Sequence, residues 1–421
     1  MDNKKSIVYF KKNTLNLLIF LFFSIIIYFL ITKQIIYPTI IPMVKNGVIN
    51  LFADWSVILN ANICQEKGYD VYLNNPCDQW SRKHVYGDVL LYIPYIRNFP
   101  NFYFTYLPLV LNLTFLYTII NFFKFKSKNE YFFLPFIVLS APVILAIERA
   151  NIDIVIFLMV FLMAKNKNIL INYLILILTT ISKFYPICMV IIFLFKKNIK
   201  KIFINMVIFL LIISIILFFQ SESLIKIFNN KNQFSGSGIY NFSFKGGLDF
   251  LLDLNIFIGD KNYNFIKYLY LTFALILPIV MTIYLNFKKI INNISISSLL
   301  YENSFENRLY ILSSTLILFC YFTFSNFFYR EIFFLGLIPW LLQHRHSLKN
   351  NFINLYFYIF IFKFFISTLL IFLVSNNIFK NFNIFIILTK YFLDFYLIAI
   401  VLMVFLVSIK IFYKNFFNQV T

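Results

Sequence analysis

Three short polar clusters interrupt long apolar runs of the chain: ERANID at 148–153, SKFYP at 182–186 and SNFFYRE at 325–331. Between them they hold Arg149, Lys183 and Arg330 as cations, Glu148, Asp153 and Glu331 as carboxylates, and Asn151, Tyr185 and Tyr329 as neutral hydrogen-bonding groups. Guanidinium forks and ammonium groups suit the oxygens of a phosphate, and a carboxylate suits proton transfer to or from a reacting group. Asp54, just beyond the first apolar run, adds a further carboxylate. A charge at the centre of a membrane span costs about 2.5–3.5 kcal/mol on insertion scales and is normally paired or borders a wet cavity. Any one of these residues reads most plainly as an interfacial anchor or a snorkelling side chain. Their recurrence with mixed sign reads instead as a shared polar cavity, and mixed sign argues against an ion pore built from rings of one charge.

The elements that must position these residues are membrane helices. The chain has 421 residues, 61% of them hydrophobic and 13% charged, with a mean hydropathy of +0.80, a composition that excludes a soluble domain of this length. The net charge of +20 resides in short Lys clusters between apolar runs. These are topology signals on cytoplasmic loops, not the basic face of a nucleic-acid-binding domain. A span needs roughly 20 apolar residues, and the pattern predicts an uncleaved first helix from near Leu15. Further spans are expected near 103–123, 131–147, 151–164, 168–182, 186–195, 201–219, 265–287, 308–325, 327–343, 352–375 and 388–413. The expectation is an all-α polytopic membrane protein of about 12 helices, a single integral membrane domain over 1–421 with both termini cytoplasmic. Two outer loops follow from that topology, at 46–101 and 220–264, and the three polar clusters all fall at outer helix ends.

The first outer loop is the most polar part of the chain and holds Asp54, Asp70, Asp78, Asp88, His84, Cys64 and Cys77. An oxidising compartment would let Cys64 and Cys77 pair, which in the chain-entropy model contributes roughly 3 kcal/mol; two free thiols are the alternative. Cys188 and Cys320 lie in apolar spans, where a thiol behaves as a small hydrophobe. His and Cys are too few for a structural zinc site, and no metal or other cofactor is expected. His84 reads as a surface or substrate-contact residue, and His344 and His346 as part of an inward charge cluster. In the second outer loop GSG is not a phosphate loop, since no Gly-Lys-Ser/Thr follows it. The stretch from Gly247 to Ile258 is too short to span.

ERANIDIVIFLMVFLMA followed by SKFYPICMVIIFLFKK resembles the paired-helix motif of glycosyltransferase family 87, in which a Glu-Arg-Gly-Asn-like turn leads a helix and a Lys-x-Tyr-Pro turn follows about 30 residues later. Asp54-Trp55, GYDVY and NPCD resemble that family's first extracytoplasmic loop, and SNFFYREIFFLGLIPWLL its Asn-x-x-Tyr-Arg helix start. The likeness runs from about residue 50 to 340. Ala150 stands where Gly is usual, Ser182 precedes the Lys, and Phe328 replaces a more polar residue.

The resemblance implies a GT-C type membrane glycosyltransferase that takes a sugar from a polyprenyl-phosphate carrier and gives it to a lipid or glycan acceptor at the outer face of the bacterial cytoplasmic membrane. It implies Asp54 as the base of an inverting displacement; without it Asp54, Asp70, Asp78 and Asp88 are nearly indistinguishable, and Asp54 has the plainer reading of a helix cap. Arg149, Lys183 and Arg330 then hold the donor phosphate, while Glu148, Asn151, Asp153 and Glu331 position the cations or bind sugar hydroxyls. Tyr185 and Tyr329 either stack on a sugar face or serve as interfacial anchors. Two other classes stay open. A flippase of lipid-linked sugars needs polar groups through both halves of the membrane, and a surface-polysaccharide polymerase or ligase needs a larger late outer loop.

Overall fold

Apolar runs of this chain fold as helices, and Pro and Asn set where several of them start. In the computed structural model, residues 2–32, 44–45, 48–49, 51–123, 128–194, 199–230, 241–244, 268, 276, 280, 304–323, 327–347, 351–375 and 383–417 are described. Helix α1 is Asp2–Thr32. A two-residue antiparallel pair, Val44–Lys45 with Val48–Ile49, follows, and then α2, Ala53–Gln65. A π-helical turn at Phe102–Tyr106 leads into α3, Leu107–Phe122. Next come α4 (Ala141–Arg149), α5 (Ile152–Lys165) and α6 (Ile169–Ser182). A 3-10 segment, Tyr185–Val190, precedes the long α7, Ile199–Asn230. Beyond it lie α8 (Phe305–Thr323), a 3-10 segment at Phe328–Leu337, α9 (Ile338–Ser347), α10 (Asn351–Ser375) and α11 (Asn383–Phe417).

Pro108, Pro142 and Pro186 sit in the first turns of α3, α4 and the 185–190 segment, where a missing N–H costs nothing because that donor has no intrahelical acceptor. Asn151 and Asn168 cap α5 and α6, each side chain accepting the N–H two residues on, which satisfies one of the free donors of a helix start.

Five described helical stretches are long and apolar enough to cross a membrane: Thr14–Thr32, Phe102–Phe122, Lys200–Asn229, Ile353–Leu373 and Thr389–Leu406. The chain is an integral membrane protein built from helices. The expected count of about 12 spans is not reached among the described residues, for identifiable reasons. The region expected to span near 131–147 is divided into Leu134–Val138 and α4 by an irregular step at Leu139 and Ser140. The regions near 186–195 and 327–343 begin as tight 3-10 segments. The span expected at 265–287 lies almost wholly outside the described residues. Two of the expected loops also contain helix. Part of the first expected loop is α2, whose Asn, Ser and Cys residues mask it from hydropathy. Helix α7 runs on to Asn230 past a kink at Gln220, into the region expected as the second loop.

Burial divides the helices by environment. Of the apolar stretch of α7 only 11% is buried, against 61% for that of α11. Helix α7 therefore turns Phe218 and Phe219 outward, as a lipid-facing helix does, while α11 is internal. Most of the interior is one large cluster of Phe, Ile and Leu from α3, α4, α5, α8, α9, α10 and α11, with two smaller clusters around α2. Lipid tails are as apolar as these side chains, so close packing rather than water exclusion holds such helices together. Gly336 shows how close it is: a Cβ there would overlap the Ser313 side chain of α8.

Candidate functional site

The polar residues singled out from the sequence meet where the end of α4, the start of α5, the start of α2, the end of α6 and the 328–337 segment converge. Helix α4 stops at Ala150, which adopts the left-handed conformation (φ 44°, ψ 50°). The next N–H, of Asn151, donates back to the Ala146 carbonyl at 3.1 Å. Gly is the usual residue for such a closure because a Cβ strains it, which accounts for the Gly of the resembled motif. Asn112 of α3 donates to the Ile147 carbonyl at 2.8 Å, a second bond to an oxygen that also accepts the Ala150 N–H. The junction is joined to α2 through the Phe52 N–H, which donates to the Glu148 carbonyl at 2.9 Å.

Asp54 stands in the first turn of α2. Its Oδ2 accepts from the Asn151 side-chain amide at 2.7 Å, and its Oδ1 from Arg82 Nη1 at 3.2 Å. Arg149 Nη1 lies 3.7 Å from the same Oδ1, and Arg149 Nε 3.7 Å from Glu148. Both separations are ion-pair contacts too long for a hydrogen bond, and the buried Arg149 Nε has no hydrogen-bond acceptor. The Arg149 guanidinium instead lies over the Phe327 ring at 5.5 Å, a ring stacked on Tyr329 at 5.6 Å.

Asp153 forms the second centre. It is fully buried and is met by Lys183 Nζ, by the Tyr185 hydroxyl at 2.9 Å and by Arg330 Nε at 3.3 Å. Arg330 also lies over the Tyr185 ring at 4.8 Å. The two centres are joined by Asn151, whose amide NH2 donates to Asp54 while its carbonyl oxygen accepts the Asp153 N–H.

Arg82 and Tyr86, not picked out from the sequence, complete the site together with Asp78, His84 and the expected Cys64–Cys77 disulfide, which were. Arg82 donates Nη2 to the Ala53 carbonyl at 2.7 Å while Nη1 holds Asp54. Its orientation is set by Asp78, which accepts from Arg82 Nε, Nη2 and backbone N–H and from the Trp80 N–H, all at 3.0 Å. Next to Asp78, Cys77 is joined to Cys64 of α2 by a disulfide, with Cα atoms 5.6 Å apart. Disulfide, Asp78 and Arg82 thus form one short brace from the end of α2 back to its beginning. Tyr86 lies beneath Lys183, whose Nζ is 5.4 Å from the ring centre. Burial first, and then the Asp54 charge, holds its hydroxyl well above the ordinary tyrosine range. His84, expected as a surface or substrate-contact residue, is buried edge-on between Tyr72 and Tyr86, and burial pushes its imidazole down to about 3. The loop is seated at Gly87, whose N–H donates to the Ser182 carbonyl at 3.0 Å. A Cβ at Gly87 would overlap the Ile181 carbonyl oxygen.

Glu331 does not join either centre. It turns away to Lys363 of α10 and to Lys390 of α11, which lies at 3.7 Å. Asp394 completes that group, 3.2 Å from Lys363 and 2.6 Å from Lys390. A signal for it did exist: Lys363 interrupts the apolar run FIFKFF, and a mid-span charge calls for a partner. Lys390 and Asp394 also stand one helical turn apart, an ion-pair spacing. Arg82 carries no such mark among its polar neighbours in the loop. Among the described residues no group of three or more His, Cys, Asp or Glu is placed to hold a metal ion.

A carboxylate offers about four acceptor sites, so Asp54 keeps capacity to take a proton while held on both sides. The Arg149 Nε donor, which has no hydrogen-bond acceptor, suits an anion. Residues 94–287 match the family model of glycosyltransferase family 87. That stretch contains ERAN and SKFYP, while Asp54 and Arg330, outside it, are brought onto those motifs through Asn151 and Asp153. No curated protein and no solved structure matches the chain.

Proposed function

We propose that this chain, a membrane glycosyltransferase of family 87 by its match over residues 94–287, takes its sugar from a polyprenyl-phosphate carrier. The acceptor is a lipid or glycan at the outer face of the bacterial cytoplasmic membrane, with both termini of the chain on the cytoplasmic side. Nucleotide sugars are confined to the cytoplasm, so an outward-facing site needs a lipid-linked donor. Asp54 removes the proton of the acceptor hydroxyl as that oxygen bonds to the anomeric carbon. The bond from that carbon to the phosphate oxygen breaks on the opposite side, its electron pair leaves with the polyprenyl phosphate, and the anomeric configuration inverts. Arg149, Lys183 and Arg330 hold the phosphate and stabilise the charge that grows on it. Glu148, Asn151, Asp153, Tyr185 and Tyr329 position these groups or contact the sugar.

The observation that carries this reading is the buried Arg149, beside Asp54 yet without a hydrogen-bond acceptor at Nε. A buried guanidinium with a spare donor is costly unless a ligand fills the place, and an anionic leaving group fits.

The test is transfer of radiolabelled sugar from a polyprenyl-phosphate donor in proteoliposomes, comparing native protein with Asp54→Asn. Native transfer is expected, with a loss of about 10²–10⁴-fold in the variant. Native protein that moves labelled carrier across the bilayer without transferring sugar would overturn the transferase reading.

A further inference from the structure

The group Glu331, Lys363, Lys390 and Asp394 is sealed: every one of its side chains is at most 1% exposed. No substrate reaches it as it stands, so its function must be exerted through what it holds. Two connections lead from it to the site. Glu331 follows Arg330 directly in the Phe328–Leu337 segment, and a 3-10 helix turns about 120° per residue because it has about 3.0 residues per turn. Arg330 therefore points to Asp153 while Glu331 points to α10 and α11. Fixing Glu331 fixes the rotation of the segment and with it the direction of Arg330. The second connection runs through Lys390, which donates to the Asn241 carbonyl at 2.7 Å. Asn241 pairs as a β-bridge with Phe327, the residue whose ring lies against Arg149.

We propose that Lys363 and Lys390 are positioning residues for the two arginines of the site, Lys363 aiming Arg330 through Glu331 and Lys390 aiming Arg149 through Asn241 and Phe327. Buried ion groups are poor sources of stability compared with apolar packing, and their best-attested use is to select one geometry. Here the selected geometry is the relative placement of α10 and α11, the 328–337 segment and residues 241–244. The effect on transfer rests on the function proposed above; the geometric coupling does not.

Two measurements test it. In the first, Asn241→Cys and Phe327→Cys are introduced together, and the rate of the 241–327 crosslink is followed by mass spectrometry, with and without Lys390→Met/Asp394→Asn. That second pair removes both charges and leaves neither unpaired. A slowing of about tenfold is expected if Lys390 holds the bridge, taking about 1.4 kcal/mol per factor of ten; an unchanged rate overturns that arm. In the second, Glu331→Gln/Lys363→Met is assayed for transfer at matched folded amounts. The expected result is kcat lower by about 10- to 100-fold, the loss typical of slight misplacement, with KM for the acceptor unchanged. Full activity in this double variant shows that the pair serves only charge neutrality and overturns the assignment of Lys363. If native protein transfers no sugar, the transferase reading fails while the crosslink still decides the coupling.

Discussion

Two groups of buried charge lie side by side in this protein and differ in how they are closed. Around Asp54 and Asp153 the side chains keep an exposed edge, with Arg82 at 19%, Arg330 at 14%, Asp54 at 10% and Lys183 at 9%. Around Glu331 none exceeds 1%. Arg149 Nε in the first group lacks a hydrogen-bond acceptor, and so do several atoms of the second, among them Lys363 Nζ, but the second pairs its charges with one another across α10, α11 and the 328–337 segment. Like residues are therefore closed in different ways: one group keeps an exposed edge, and the other is a sealed ring of paired charges.

That contrast is broken most strongly from the sealed side. Lys363→Met alone leaves Glu331 and Asp394 to share Lys390, an unbalanced buried charge expected to destabilise the protein by about 3–5 kcal/mol, measured by denaturant unfolding in detergent. Adding Glu331→Gln should recover most of that loss, and no recovery would show the two charges to be uncoupled. On the open side, Cys64→Ser/Cys77→Ser is expected to cost about 3 kcal/mol and to free the Arg82 brace. Transfer should then fall further than in a variant equally destabilised elsewhere; an equal fall would remove the brace from the site.

Acid sharpens the difference in another way. The His84 imidazole lies at about 3 in the folded protein against an ordinary 6.5, so between these values the unfolded chain binds the extra proton. The stability present above pH 6.5 is lost as pH falls, by about 2 kcal/mol at pH 5. His84→Phe should abolish that part of the slope in an unfolding titration, and a slope that survives intact would assign it to other groups. The smallest change concerns the junction itself. Ala150→Gly removes the cost of a left-handed residue, about 1 kcal/mol, so the melting temperature should rise; a fall would mean that chain entropy outweighs the relief.

Much of the site is legible in the amino-acid sequence. Charges in apolar runs announce themselves by their cost, so ERANID, SKFYP and FYRE stand out, and hydropathy gives the helical membrane class. Partnership is less legible. Glu331 looks like Arg330's companion from its neighbour position, yet the tight turn of a 3-10 segment sends the two to opposite sides. Arg82 reaches Asp54 across 28 positions only because Asp78 and the disulfide fold the loop back. Helix α2 is hidden because its Asn and Ser residues, buried against neighbouring elements, lower hydropathy without breaking the helix.

The seat at Gly87 carries a mechanical consequence. The Ser182 carbonyl accepts the Gly87 N–H, and Tyr86 and Lys183, one residue outward on either strand of that contact, lie against each other. The loop and the end of α6 are thus joined at a backbone contact too close for any side chain. Any side chain at position 87 would push the two apart at that contact, displacing Tyr86 from Lys183 and so disturbing the partner of Asp153.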